Sequence, residues 1–182
     1  MYKRQVAPLL VGKDMSNIPE LLLTLQKSLH LFGRYGITMF AISGVEIALW
    51  DALGKEKNKP IHELLGKKNK DLFKAYSSLF RYGDPKIIEQ KCKQSLDDGY
   101  QAIKLHEIEN DCIEAGRKGT GNLPLMLDTN CPWTYEETLS KKDFLKSMKL
   151  TWLEEPIYPP EDYETLAKLN KELGIPLSLI HI

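Results

Sequence analysis

The sequence predicts an α/β protein containing part of a (β/α) barrel, preceded by a helical segment. Helical periodicity dominates the first 70 residues, whereas short apolar runs alternate with amphipathic stretches from residue 71 onward. That alternation is typical of parallel strands joined by helices. Three of the apolar runs end in polar side chains, as barrel strands do at their catalytic rim. About four and a half βα units are expected, which is too few to close a barrel.

Three helices are predicted in the first part of the chain. Ser16 is the expected N-cap of a helix that runs to Leu29. A second helix is expected over residues 39–53, with Gly54 ending it, and a short third helix over residues 60–65. Their apolar faces predict a small helical core.

The remainder of the chain predicts strands alternating with helices. Asp84 and Pro85 have the sequence of an N-cap and first helical turn. Residues 134–137 (Thr-Tyr-Glu-Glu) form a capping box that begins another helix. The expected strands cover residues 73–80, 100–106, 123–128 and 150–154, with a fifth from Ile175, and the expected helices cover residues 84–98, 109–118, 134–148 and 162–173.

The composition is that of a soluble globular protein. Charged residues make up 27% and hydrophobic residues 42%, the formal net charge is zero and the pI is about 6.9. This balance, without a basic stripe, argues against nucleic-acid binding, and no apolar run is expected to span a membrane. Cys92, Cys112 and Cys131 are scattered without a CxxC pair, which indicates reduced thiols in a cytoplasmic protein.

The candidate chemistry lies at three predicted strand ends. Lys104 and His106 are two residues apart and therefore share one face of a strand. Asp128 and Asn130 repeat this spacing on the next strand, and Glu154 ends the strand after it. Two carboxylates on neighbouring strand ends, beside a cationic pair, suit a hard divalent cation and a proton-abstracting base. The residues alone leave open a turn aspartate, a surface acidic pair and a structural histidine.

Three stretches, taken together, resemble one family. They are residues 41–51 (Ala-Ile-Ser-Gly-Val-Glu-Ile-Ala-Leu-Trp-Asp) with their continuation to Gly66, residues 103–106 (Ile-Lys-Leu-His), and residues 128–130 (Asp-Thr-Asn) with 152–156 (Trp-Leu-Glu-Glu-Pro). This set resembles the mandelate racemase/muconate lactonizing branch of the enolase superfamily. The resemblance implies an α+β capping domain followed by a modified (β/α)7β barrel. Residues 1–70 would be the C-terminal helical part of the cap, and residues 71–182 the first half of the barrel.

The resemblance also implies site roles. Asp128 and Glu154 fall on the first two ligands of Mg²⁺, and Lys104 on the lysine that polarises the substrate carboxylate. His106 stands where the family usually has its base lysine, and an imidazole suits that role near neutral pH. Asn130 is expected to bind the metal-bound substrate or to orient the metal ligands, with an ordinary turn role as the alternative.

The expected function is magnesium-dependent removal of the proton α to a carboxylate, most specifically in a sugar-acid dehydratase. A racemase or epimerase and a sugar-lactone cycloisomerase are alternatives of the same mechanism. A non-catalytic binding fragment or pseudoenzyme is the alternative from another class, whereas a barrel hydrolase would need a histidine cluster that the sequence lacks. The expected partner is a small-molecule carboxylate, and the parent protein is expected to be a homo-oligomer.

Both ends of the chain resemble a foreign sequence. Residues 1–5 and 177–182 are similar to the two strand readings of a transposase mosaic-end adaptor, so the genomic insert is expected to be residues 6–176. The third metal ligand of the family would fall near Ile180 or His181, neither of which is a carboxylate. The chain as written is therefore expected to be inactive.

Overall fold

The computed structural model describes residues 5–66 and 70–179, and the chain divides into two compact units, Met1–Leu72 and Phe73–Ile182. The helices are α1 (Ala7–Leu10), α2 (Ile18–Ser28), α3 (Ile37–Lys57), α4 (Ile61–Leu65), α5 (Pro85–Asp97), α6 (Asn110–Thr120), α7 (Tyr135–Ser140), α8 (Lys142–Ser147) and α9 (Tyr163–Leu173), with a 3-10 turn at His30–Phe32. The strands are β1 (Ser77–Ser78), β2 (Ile103–Leu105), β3 (Leu125–Asp128), β4 (Leu153–Glu154) and β5 (Leu177–Ser178).

The first unit is built around the packing of α2 on α3. Its buried cluster consists of Val6, Leu25, Leu29, Ile42 and Val45. The prediction that Ser16 caps α2 is wrong, because the side chain of Asn17 accepts the hydrogen bond from the Glu20 backbone N–H. Ser16 is engaged instead with the carboxylate of Asp14, to which both its N–H and its hydroxyl donate.

Helix α3 continues through Gly54 and ends at Asn58, which has a left-handed backbone with φ 49°. Glycine was expected to stop this helix because of its low helix propensity. Here it serves close packing: a Cβ at Gly54 would lie 3.0 Å from the carbonyl oxygen of Lys59. The missing side chain lets the chain turn back against the helix end, where the Lys59 N–H donates to the Gly54 carbonyl at 2.9 Å.

By length and composition alone, the 21-residue helix α3 could cross a membrane, whereas no such segment was expected from the sequence. Ile42, Val45 and Leu53 on α3 are buried within its own unit, whereas Phe40 and Ile47 are exposed. A single helix of this kind is weak evidence for a membrane span, because core helices of soluble proteins meet the same criterion.

The second unit contains a five-stranded parallel sheet in the order β1-β2-β3-β4-β5. Helices between successive strands give the βα alternation predicted from the sequence. The strands are shorter than predicted: β1 covers two residues rather than residues 73–80. Phe73, near the start of the expected strand, is 78% exposed and lies outside β1.

The strand register places core side chains on one face of the sheet and the charged side chains of the strand ends on the other. One face packs in the main core through Ile103, Leu105, Leu125, Leu127 and Leu153. Because side chains alternate along a strand, the residues between these apolar positions point to the other face. Lys104 pairs with Met126 and Asp128 pairs with Glu154 in the ladder, so these residues share that second face.

The helix starts in this unit follow the predicted caps. Asp84 accepts from the N–H groups of Lys86 and Ile87 at the start of α5. Both hydrogen bonds of the capping box form at the start of α7. The single helix expected over residues 134–148 is divided at Lys141 into α7 and α8. The Ser140 hydroxyl donates to the Glu137 carbonyl, a local bond of the kind that competes with a helix.

Candidate active site

Three buried charged side chains meet at the carboxyl ends of β2, β3 and β4. The Lys104 ammonium lies 3.1 Å from Asp128 Oδ2 and 3.4 Å from both carboxylate oxygens of Glu154. Relative exposures are only 9% for Lys104, 5% for Asp128 and 7% for Glu154. The structure therefore brings together three of the residues that the sequence singled out.

The charges of this cluster do not balance. One ammonium faces two carboxylates, and buried charge is costly unless it is compensated. Burial lowers the pKa of Lys104, but the hydrogen bond that Lys104 donates to Asp128 and the charges of Glu154 and Asp128 outweigh it, so the pKa lies above its ordinary value. Lys104 thus stays charged, and the excess negative charge favours a further cation beside it.

Each oxygen of Asp128 has a separate set of donors. Oδ1 accepts from the backbone N–H of Asn130 at 3.1 Å and from its side-chain amide at 2.8 Å. Oδ2 faces Lys104 and also lies 3.4 Å from His106 Nε2. Asn130 is therefore placed beside the first carboxylate, where it fixes the orientation of Asp128.

Glu154 is oriented by a neighbour two residues earlier on the same strand. The indole N–H of Trp152 donates to Glu154 Oε2 at 3.0 Å. Trp152 is half-buried and packs edge-on against Tyr76 with ring centroids 6.0 Å apart. Its indole N–H also orients Glu154, which the sequence pattern did not show.

His106 is held by the backbone of the preceding strand end. Its Nδ1 contacts the carbonyl oxygen of Leu79, and a carbonyl can only accept, so Nδ1 carries a proton. Nε2 is then the nitrogen that can take up or release a proton, and it points toward Asp128. A fixed tautomer with one nitrogen in the site is the arrangement that general-base chemistry requires.

Arg81 is a site residue that the sequence reasoning missed. It follows β1 and donates to the backbone carbonyls of His106 and Thr129 and to the side-chain oxygen of Asn130. Together with Leu79, His106 and Asn130 it lines an open cleft of about 390 Å³. Its position just after the first predicted strand, equivalent to the strand ends already considered, is the signal that could have identified it.

The loops after β3 and β4 have unusual backbone geometry. Asn130, Cys131 and Glu155 have φ angles of 58°, 57° and 48°, a left-handed conformation that non-glycine residues adopt rarely and mostly where the surroundings enforce it. Thr129, fully buried, ties the two loops together by donating its hydroxyl to the Glu155 carbonyl at 2.9 Å. The strain lies directly beside the two carboxylates.

Cys131 does not have the character of a nucleophile. Burial raises the pKa of its thiol, and the negative charges of Glu155 and Asp128 raise it further. Reactive cysteines instead have lowered pKa values and cationic neighbours.

The donor set suits a magnesium ion in part. Asp128 and Glu154 direct carboxylate oxygens toward the same cation, the Lys104 ammonium, and hard oxygen ligands are those that Mg²⁺ prefers. Among residues 5–66 and 70–179, no group of three His, Cys, Asp or Glu side chains forms a complete metal site. The third ligand, expected near Ile180 or His181, lies outside the described residues.

Comparisons with known proteins agree with this architecture. Residues 1–66 match the family described as mandelate racemase/muconate lactonizing enzyme, N-terminal domain, and residues 88–179 match the enolase C-terminal domain-like family. The chain belongs to the mandelate racemase/muconate lactonizing enzyme branch of the enolase superfamily. The resemblance inferred from the sequence is thereby confirmed, and so is the α/β class with a partial barrel.

Three similar proteins represent the range of activities in this branch. Arabinonate dehydratase of Saccharolobus solfataricus is 33% identical over 94% of this chain and 48% of its own length. D-galactarolactone cycloisomerase of Agrobacterium fabrum is 27% identical over 93% of this chain and 47% of its own length. A racemase structure from Streptomyces coelicolor with bound magnesium has a TM-score of 0.86 at 27% identity, covering 98% of this chain and 52% of that one.

The chain spans about half the length of the curated relatives that it matches.

Proposed function

We propose that the whole protein is a magnesium-dependent enzyme that removes the proton α to the carboxylate of a sugar acid and then eliminates water. One observation supports this most: Lys104, Asp128 and Glu154 converge within hydrogen-bonding distance at the carboxyl ends of neighbouring strands. The dehydratase reading is supported by the 33% identity to an arabinonate dehydratase.

Asp128 and Glu154 are the proposed metal ligands within the described residues. A bound Mg²⁺ would neutralise the substrate carboxylate and the negative charge that develops on it as the α proton leaves. Asn130 would hold Asp128 in the ligating orientation through its two hydrogen bonds. Its side-chain amide would also form a hydrogen bond with the substrate, as expected from the sequence.

Lys104 and His106 are the proposed reacting groups. The Lys104 ammonium would donate to a carboxylate oxygen of the substrate, where its charge stabilises the forming enolate. His106 Nε2 would accept the α proton, since Nδ1 is committed to the Leu79 carbonyl. Departure of the β-hydroxyl then needs one proton, supplied by His106 itself or by a group in the part of the whole protein that this chain does not span.

The proposal includes the substrate class, the cellular location and the oligomeric state. The substrate is a small polyhydroxy carboxylate, and the enzyme is cytoplasmic and a homo-oligomer. The reduced cysteines are in keeping with a cytoplasmic location.

A product analysis in D₂O tests the proposed reaction. The whole protein, freed of metal and then supplied with MgCl₂, is incubated with a panel of aldonates, aldarates and their lactones and followed by ¹H NMR. A dehydratase consumes the C2 proton and yields a 2-oxo-3-deoxy acid, a racemase places deuterium at C2 with epimerisation, and a cycloisomerase converts only lactones. A folded protein that leaves the C2 proton of every compound untouched, with and without Mg²⁺, would be a non-catalytic member instead.

A further inference from the structure

A single guanidinium links three loops at the rim of the sheet. Arg81 Nε donates to the His106 carbonyl at 2.6 Å, and Arg81 Nη2 donates to the Thr129 carbonyl at 3.0 Å and to Asn130 Oδ1 at 3.2 Å. These acceptors lie after β2 and β3, whereas Arg81 itself follows β1. Only the planar fork of an arginine can satisfy three acceptors in this way, because an ammonium has no such fixed geometry.

We infer that Arg81 is a positioning residue, which holds Asp128 through Asn130 and fixes the peptide that carries His106. This inference rests on the proposed function. Because Asn130 Oδ1 accepts from Arg81, the amide nitrogen of Asn130 must face the other way, toward Asp128 Oδ1 at 2.8 Å. Without Arg81, the hydrogen bond to Asp128 alone would orient the amide, and Oδ1 of Asp128 would hold its side-chain donor less firmly.

The loop that carries Arg81 is itself anchored. Glu107 is 2% exposed, and its Oε1 accepts from the backbone N–H groups of Tyr82 at 2.7 Å and Gly83 at 3.4 Å. Glu107 directly follows His106, so the two loops hold each other: Arg81 reaches the His106 carbonyl and Glu107 reaches back to the residues after Arg81. Such mutual fixing restricts both loops to one arrangement, as a preorganised site requires.

We call the contacts from Arg81 through Asn130 to Asp128 the relay. The relay predicts a specific pattern of magnesium affinities, which can be measured without turnover. Loss of an outer partner of a metal ligand typically weakens metal affinity or activity about 10–100-fold. Arg81→Met is expected to weaken Mg²⁺ binding to the whole protein within this range. Arg81→Lys is expected to restore little, because the ammonium keeps the charge but not the fork.

A double-mutant cycle with Asn130→Ala tests whether Arg81 acts through Asn130. Mg²⁺ binding is measured by calorimetry for the parent, Arg81→Met, Asn130→Ala and the double variant. If the relay holds, the double variant binds Mg²⁺ about as weakly as the weaker single variant, since coupled residues are not additive. Arg117→Met is the matched control, because Arg117 also donates to two carbonyls, those of Leu123 and Met148, which precede β3 and β4 instead of following β2 and β3. It is expected to leave Mg²⁺ affinity unchanged.

The possible outcomes separate the inference from the proposed function. Fold losses that multiply in the double variant, or a parental Mg²⁺ affinity in Arg81→Met, would overturn the relay. A raised KM for the acid with unchanged Mg²⁺ affinity would make Arg81 a substrate contact instead. A parent that binds Mg²⁺ but exchanges no α proton would refute the proposed function alone, and a parent that binds no Mg²⁺ would refute both.

Discussion

At the scale of the residue, the site is governed by an imbalance of buried charge. Among the residues that the structure describes, Lys104 forms ion pairs with both Asp128 and Glu154, and the imidazole of His106 also lies 3.4 Å from Asp128. In a poorly solvated environment each unpaired charge is expensive. The three side chains therefore depend on one another more strongly than surface ion pairs do.

Replacing Lys104 should destabilise the metal-free protein strongly. Lys104→Met leaves two buried carboxylates without their ammonium, and breaking a buried pair on one side typically costs ~3–5 kcal/mol. The matched control is Lys118→Met, because the ion pair of Lys118 with Glu89 is formed by a lysine with 73% side-chain exposure and its loss should change stability little. Denaturant unfolding measures both. Equal losses for the two variants would show that the cluster is not the buried network described here.

Replacing His106 should separate catalysis from metal binding. His106→Asn keeps a donor for the Leu79 carbonyl but removes Nε2, the proposed proton acceptor. Mg²⁺ affinity should stay near the parental value, whereas exchange of the substrate α proton with D₂O should slow about 10²–10⁴-fold. The rate of exchange is measured by NMR. A parental rate in His106→Asn would mean that another residue acts as the base.

At the scale of the element, close packing of α5 against α6 supports the helix layer of the sheet. A Cβ at Gly119 of α6 would lie 2.7 Å from the Cβ of Cys92 and 2.8 Å from the carbonyl oxygen of Glu89. The Cβ of Cys92 and the carbonyl oxygen of Glu89 are both fixed by the backbone of α5. Rotation of a flexible side chain therefore cannot relieve the contact. Glycine is present here because the two helices touch.

Gly119 and Gly44 both lie in helices without left-handed geometry, and they should respond oppositely to alanine. Gly119→Ala is expected to destabilise the protein by about 1–3 kcal/mol through overpacking. Gly44→Ala in α3 is its control, because nothing lies within 4 Å of the added Cβ, and it should stabilise by about 0.5–1 kcal/mol through helix propensity. Thermal melts of the two variants that shift in the same direction would contradict this assignment of the α5–α6 contact.

Local signals explain which elements could be predicted. Caps such as Asp84 and Thr134 act within one helical turn, so their sequence patterns identified the starts of α5 and α7. Gly54 and Arg81 were misread or missed because their roles depend on neighbours brought close by folding. Strand ends were located through apolar runs ending in polar residues, yet the pairing of Asp128 with Glu154 in the ladder is a property of register, which the sequence does not show directly.

At the scale of the whole molecule, the sheet of the second unit is open. β1 and β5 are the ends of the strand order, so each has one unpaired side within the described residues. Large apolar side chains flank β1, with Leu72 89%, Phe73 78% and Phe80 81% exposed. Open edges and exposed apolar side chains favour association, and a formal net charge of zero does little to oppose it.

The 182-residue chain produced by itself is therefore expected to aggregate or to remain partly unfolded. Size-exclusion chromatography with light scattering would report the association, and a thermal melt the loss of cooperativity. A soluble monomer with a sharp melt would mean that the open edges are tolerated and that this part of the account is wrong.

The measurement that most directly tests the central claim is Mg²⁺ titration calorimetry on the whole protein and three variants. Asp128→Asn and Glu154→Gln each remove a charged oxygen ligand and should abolish measurable binding. Asp97→Asn removes an exposed carboxylate at the end of α5 and should bind Mg²⁺ like the parent. Parental affinity in both Asp128→Asn and Glu154→Gln would contradict the claim that these strand-end carboxylates form the metal site.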